Sequence, residues 1–296
     1  MRDQLADAAY AGGWSLARHA PESWAKGSFR AIADQAWRRR GPRVQQLERN
    51  LQRVVPTAGD EELRQLSRDA MRSYLRYWCE TFRLPTWEPV EVVDRMVVHH
   101  EERFVEYRER GRGLIAVLGH LGNWDHCGAW STAVGVPLTT VAERLRPESL
   151  FDRFVAYRES LGMEVLPLTG GPNVAETLRQ RLSDGGFVCL LADRELSGGG
   201  VEVDLLGQPA RFPAGPALLA ARTGATLMPT LSYYDPDRTH VQFLPEIVVP
   251  DGHTLRERVH AMTQQFADVI SAAAREHPTD WHMLQRVWSS DLERPR

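Results

Sequence analysis

From Val97 onward, short apolar runs alternate with segments of helical periodicity, and no other feature restricts the fold as strongly. The runs are Val97-Val98, Leu114–Leu118, Thr139–Ala142, Val165–Leu168, Phe187–Ala192, Leu227–Tyr233 and Val241–Leu244. Between them the spacing predicts helices over 123–134, 147–161, 173–183, 214–223 and 254–276. Strands that are apolar throughout need cover on both faces. A mostly parallel central sheet flanked by helices, an α/β fold, is therefore expected. The first 85 residues lack such runs. Trp14, Leu16, Ala17, Trp24, Phe29, Ile32, Ala33 and Trp37 recur at helical spacing, and Val44, Leu47 and Leu51 continue it after Gly41-Pro42. Asp60-Glu61-Glu62 then opens a third helix, where acids favour the dipole. No linker separates this helical segment, 1–85, from the rest, so residues 1–296 are expected to form one domain.

Composition excludes several classes. With 43% apolar and 25% charged residues the chain is that of an ordinary folded protein, and a net charge of -3 offers nucleic acid no general attraction. Lys26 is the only lysine, an arginine bias that a GC-rich coding sequence explains without phosphate binding. Cys79, Cys127 and Cys189 form no Cys-x-x-Cys pair, which argues against a disulfide framework or a zinc site and fits a reducing compartment. The segment Met1–Asp7 carries two acids and no apolar run, so it does not read as a signal peptide. Apolar runs elsewhere fall short of the ~20 residues needed to span a bilayer. No phosphate-loop lysine motif, Gly-x-Gly-x-x-Gly or Gly-x-Ser-x-Gly elbow follows a strand. His99, His100, His120 and His126 are not spaced as a common metal-ligand set, so no metal is expected.

The stretch Gly119-His120-Leu121-Gly122-Asn123-Trp124-Asp125 carries the chemistry. A histidine can take a proton from an alcohol near neutral pH, and a carboxylate can fix its tautomer. On one continuous helix His120 and Asp125 would lie roughly 140° apart. A strand ending at Leu118, a glycine turn and a helix starting near Asn123 give a better geometry, in which Asp125 reaches back to the imidazole. The plain alternative is a structural histidine beside a helix-start acid. Farther along, Asp193-Arg194-Glu195 directly follows another apolar run and would border the same carboxyl edge, where open α/β sheets bind ligands.

With these blocks in place, the chain resembles the lysophospholipid acyltransferase superfamily, in the branch of bacterial lipid A lauroyl/myristoyl acyltransferases. Within that branch it is most similar to the actinobacterial phosphatidylinositol mannoside acyltransferases. The resemblance rests on His120 with Asp125, on Ala142-Glu143-Arg144-Leu145, and on the helix containing Arg158. It rests also on Ala192–Glu195, Arg211-Phe212-Pro213-Ala214-Gly215 and Asp280-Trp281-His282 through Trp288. It implies a glycerol-3-phosphate acyltransferase-like fold and transfer of an acyl group, usually palmitoyl, to the 6-hydroxyl of a mannose on phosphatidylinositol mannoside. Acyl-coenzyme A is the implied co-substrate, with no other cofactor. Carried over by position, His120 is the general base and Asp125 its orienting partner, with Glu195 joining them in the catalytic group. Arg158 with Glu143 as its partner, and Asn123, Trp124, Asp193, Arg194 and Arg211, are implied on the substrate side. An apolar slot for the acyl chain is expected beside the catalytic block, with Trp124, Trp130, Leu118 and Ala129 as candidate walls.

The lipid A enzymes carry an N-terminal membrane-spanning segment that is lacking here, which places the chain nearer the mannoside branch and leaves the acceptor inferred. Residues 38–76 hold ten arginines against five acids. That balance, with nearby tryptophans, raises the expectation that the 1–85 segment faces an anionic membrane surface, peripherally, on the cytoplasmic face of the inner membrane. The competing reading is a solvated helix face with ion pairs. Three other functions stay open: an acyltransferase for another glycolipid or a lysophospholipid, a thioester hydrolase using the same pair, and a non-catalytic lipid-binding protein with a structural His120.

Overall fold

A computed structural model describes residues 14, 17–144, 147–171, 173–195, 198–248 and 254–292. The readings that fell on Met1–Asp7, Leu16 and Leu145 lie outside the described residues. Seven strands form the central sheet: β1 (Met96–His99), β2 (Leu114–Leu118), β3 (Thr139–Ala142), β4 (Glu164–Pro167), β5 (Phe187–Leu191), β8 (Thr226–Tyr234) and β9 (Thr239–Phe243). Their order is β1-β9-β8-β2-β5-β3-β4. Each apolar run named from the sequence supplies one of them. Every neighbouring pair is parallel except β8 with β9. The connection between those two is the turn Asp235-Pro236-Asp237-Arg238, in which the Asp235 carboxylate accepts from the Asp237 and Arg238 amides at 2.7 and 2.6 Å. So short a link cannot make the crossover that a parallel pair requires.

Strand β2 lies at the centre and is buried at every residue. Its side chains alternate: Ile115 and Val117 join the core on one face, while Leu114, Ala116 and Leu118 join the core on the other. The helices expected at 123–134, 147–161, 173–183, 214–223 and 254–276 appear as Trp124–Ala133, Glu148–Ser160, Val174–Ser183, Gly215–Thr223 and Leu255–Glu276. Sequence periodicity did not reveal the antiparallel hairpin of β6 (Val201–Leu205) and β7 (Gln208–Phe212), which packs on Leu255–Glu276. Its pattern was obscured by alternating charged and apolar residues beside a glycine-rich stretch.

The N-terminal segment is helical as expected, with Glu22–Arg39, Pro42–Val54 and Asp60–Arg83 sharing a core of Ala33, Leu47, Leu51, Ala70 and Met71. Of the arginines in 38–76, several sit in ion pairs within the fold. Arg68 and Arg72 both clasp Asp34, Arg64 and Arg40 both meet Glu48, Arg76 pairs with Glu80, and Arg53 with Asp291. Arg64, Arg68 and Arg72, spaced four apart on the helix Asp60–Arg83, tie it to its neighbours, while the Arg76 ion pair lies within that helix. The helices are thus joined by ion pairs in which six arginines share four carboxylates.

Candidate active site

Register brings the central pair together. Leu118 at the end of β2 faces Leu191 at the end of β5, and the Ala192 amide donates to the Leu118 carbonyl at 2.9 Å. His120 and Asp193 each lie two residues beyond those strand ends, so they meet side by side at the carboxyl edge of the sheet. The His120 Nδ1 is 2.5 Å from Asp193 Oδ1, and the His120 backbone N–H donates to Oδ2 at 2.8 Å. The Trp281 indole also donates to Oδ2, at 3.0 Å. Asp193 is fully buried, while the His120 side chain keeps 23% of its surface. Burial alone would raise the Asp193 carboxyl. The His120 ring and backbone and the Trp281 N–H reverse that effect and hold it below the usual carboxylate range.

The loop that presents His120 has little freedom. Gly122 adopts φ +55°, and a Cβ there would lie 2.6 Å from Ser232 Oγ and 2.7 Å from the Tyr233 backbone nitrogen. Leu121 forms a β-bridge with Trp281, and the His282 amide donates to the His120 carbonyl at 2.8 Å. Behind the loop, burial and then the proximity of His120 push His282 down to about 3, so its ring is neutral under ordinary conditions. Asn123 caps the helix Trp124–Ala133 through its side-chain oxygen and anchors to buried Glu80 at 2.9 Å. Its role is to place the helix start.

The expected partnership of His120 with Asp125 is not what the structure contains. Asp125 accepts instead from the Arg158 Nε at 2.7 Å and from the Tyr77 hydroxyl at 2.8 Å, both within the fold. It sits in the first turn of the helix Trp124–Ala133, with its carboxylate turned to Arg158 and Tyr77. Burial works against the Arg158 charge, but the Asp125 carboxylate more than offsets this and raises its pKa. Glu143 likewise does not pair with Arg158. It meets Arg194 at 2.9 Å, near the surface. Arg211 lies exposed on β7 and donates to the Gly198 carbonyl at 3.3 Å, and half-buried Glu195 rests against Gly200. The structure thus gathers His120, Asp193 and Trp124 at one point, with Asp125 and Arg158 as a buried pair beside it.

Asp193 and Trp281 were the residues whose roles the sequence did not disclose. Asp193 had a signal: it follows its strand by the same two residues as His120, and adjacent parallel strands in register set such positions opposite each other. Trp281 had none, since its contact spans 88 residues of chain.

An apolar channel, with about 670 Å³ of atom-free space that includes open solvent, runs between the sheet and the helix Trp124–Ala133. Ala116 and Leu118 of β2 and Cys189 of β5 form its floor, and Phe104, Trp130 and Phe243 close one flank. Trp124, Asp125 and Arg158 also line it. Of the four candidate walls, whose plain alternative is ordinary core, Trp124, Trp130 and Leu118 line the channel and Ala129 does not. The Trp124 ring stands roughly perpendicular to that of His120, with centroids 5.3 Å apart, so His120 and the channel share Trp124 as a neighbour. Among the described residues no group of three or more histidine, cysteine or acidic side chains is placed to hold a metal.

A histidine–carboxylate pair thus stands at the carboxyl edge of a parallel sheet near an apolar channel, and the chain belongs to the bacterial lipid A biosynthesis acyltransferase family, whose model matches residues 2–290. Among curated relatives it is 44% identical over 294 residues to the phosphatidylinositol mannoside acyltransferase of Mycolicibacterium smegmatis, covering 99% of this chain and 94% of that protein. It is 42% identical over 296 residues to the protein of the same name from Mycobacterium tuberculosis, covering 98% and 90%.

Proposed function

We propose that this chain moves a palmitoyl group from acyl-coenzyme A to the 6-hydroxyl of a mannose on phosphatidylinositol mannoside. The observation that carries the reading is the placement of a partly exposed histidine, held by a buried carboxylate, beside an apolar channel. The names of the relatives supply the acceptor.

Both Asp193 oxygens accept hydrogen bonds, so His120 carries its proton on Nδ1 and leaves the Nε2 lone pair free. The mannose hydroxyl gives its proton to Nε2 as its oxygen bonds to the thioester carbon. The carbonyl π pair moves onto oxygen, then returns as the carbon–sulfur bond breaks. The coenzyme A thiolate departs and recovers the proton from the imidazolium, which Asp193 stabilises. Positioned general-base chemistry supplies roughly 10² to 10⁴ in rate. Alignment and stabilisation of the oxyanion supply the remainder. At ~0.8 kcal/mol per buried methylene, the acyl chain in its channel contributes on the order of 10 kcal/mol to donor binding. Glu195, Arg194, Arg211 and Glu143 border the acceptor side in this reading.

The protein would work as a peripheral enzyme on the cytoplasmic face of the inner membrane. No helix among the described residues is long and apolar enough to cross a bilayer. The helix Glu22–Arg39 instead presents Trp24 and Ile32, 74% and 53% exposed, with exposed Arg30, Arg38 and Arg39 on the same helix. That mixture suits an anionic lipid surface.

The test is purified protein with palmitoyl-coenzyme A and a panel of acceptors: mannosylated phosphatidylinositols, lysophospholipids, free sugars and water, read by mass spectrometry. A palmitoyl ester on the mannose 6-position, absent with His120→Ala, is the expected result. Transfer to water alone, or to lysophospholipid in preference, overturns it.

A further inference from the structure

We infer that the indole N–H of Trp124 is the oxyanion donor of this site: it hydrogen-bonds the thioester carbonyl oxygen as negative charge gathers there. This rests on the acyl-transfer reading above and adds to it a group that the His120–Asp193 pair does not supply.

Three observations converge on Trp124. Several buried side-chain nitrogen and oxygen atoms lack a hydrogen-bond partner among the described residues, and of these the Trp124 Nε1 belongs to a residue that lines the acyl channel. A buried N–H left unpaired is costly, and a donor in that condition beside a channel is met when a ligand acceptor arrives. The second observation is position. The Trp124 and His120 rings stand edge to face at 5.3 Å, so a carbonyl seated at the channel mouth within reach of a hydroxyl on His120 lies beside the indole. The third is rigidity, which an oxyanion donor requires because its advantage comes from being fixed in advance. The Tyr77 ring lies against the indole, with centroids 4.1 Å apart, and the Tyr77 hydroxyl is tied to Asp125, which is tied to Arg158. The Asp125–Arg158 pair, freed from the role of orienting the histidine, thereby holds the tryptophan. Trp124 is also the first residue of the helix Trp124–Ala133, so the positive end of that helix adds to the same field.

In the attack step the carbonyl oxygen gains the π pair and accepts from Trp124 Nε1–H. When the carbon–sulfur bond breaks the pair returns, and no proton leaves the indole. Trp124→Phe keeps the ring and its stacking on Tyr77 but removes the donor. With the wild-type enzyme first shown to turn over palmitoyl-coenzyme A, the expected result is a kcat lower by about 10²- to 10³-fold with donor KM near the wild-type value. Wild-type kcat, or a raised KM with kcat unchanged, overturns the proposal and makes Trp124 a channel wall.

A second measurement uses the unaltered protein and so does not depend on the variant folding. The Trp124 indole 15N–H resonance, assigned by its contacts to Tyr77, should move downfield with a non-cleavable donor analogue that keeps the carbonyl and has methylene in place of sulfur. It should stay with a thioether analogue that lacks the carbonyl. Equal shifts with both overturn the proposal. Absence of any acyl transfer by the wild-type enzyme would instead sink the functional reading itself, a result separate from these.

Discussion

At the scale of single residues, the site separates two carboxylates that look interchangeable in sequence. Asp193 meets the His120 ring and, in the proposed mechanism, fixes its tautomer, while Asp125 pairs with a buried arginine. Their substitutions should therefore fail differently. Asp193→Asn should fold and lose kcat by about 10³- to 10⁴-fold, because an amide donates toward Nδ1 and drives the proton onto Nε2, where the base must be free. Steady-state kinetics on the folded variant decide this. Asp125→Ala should chiefly lose stability, by about 3–5 kcal/mol in denaturant unfolding, because Arg158 is left buried and unpaired. Gly122→Ala forces a side chain against the Ser232–Tyr233 backbone at a left-handed φ and should cost about 1–3 kcal/mol. Of this chemistry, the sequence disclosed His120, whose strand–glycine–helix setting is local. It misassigned the partner, because a carboxylate five residues away is visible in one dimension while one seventy-three residues away is visible only in sheet register.

Among the secondary-structure elements, legibility follows burial. The seven sheet strands were readable because both faces are covered and the apolar runs are continuous, as in β2. The β6–β7 hairpin was not, because Glu202, Asp204 and Gln208 face outward and break the run. Arginines at positions 64, 68, 72 and 76 recur every four residues, but that spacing does not say whether their partner is lipid or protein. The structure gives Asp34 to two of them. Asp34→Ala should accordingly lower stability by about 1 kcal/mol in thermal or denaturant unfolding while leaving vesicle binding intact. Arg38→Gln with Arg39→Gln, on the exposed helix, should weaken sedimentation with anionic vesicles by about 1 kcal/mol per residue and leave unfolding unchanged. The reverse pattern would return the arginines of the helix Asp60–Arg83 to the membrane.

For the whole molecule, buried neutral histidines set the response to acid. His282 has an ordinary value of 6.5 and is pushed down to about 3, and burial lowers His126 as well. Between those values the unfolded chain binds protons that the folded one refuses, so stability is full above pH 6.5 and falls as the pH drops. For His282 the slope is about 1.4 kcal/mol per pH unit between those values, and His126 acts in the same direction. Below 4.5, Glu22 and Glu164, held at about 2 by Arg95 and Arg181 in turn, add to the loss as they are protonated. Urea unfolding at pH 7, 6, 5 and 4 should show this decline, and His282→Gln should make it shallower.

The segment that closes on the catalytic loop has a further consequence, in the timing of synthesis. His120 leaves the ribosome long before Trp281 and His282, the residues that brace its loop and hold Asp193 in place. An unfinished chain therefore carries His120 without the segment that braces its loop and holds Asp193, so the geometry around His120 is complete only once that segment has been made.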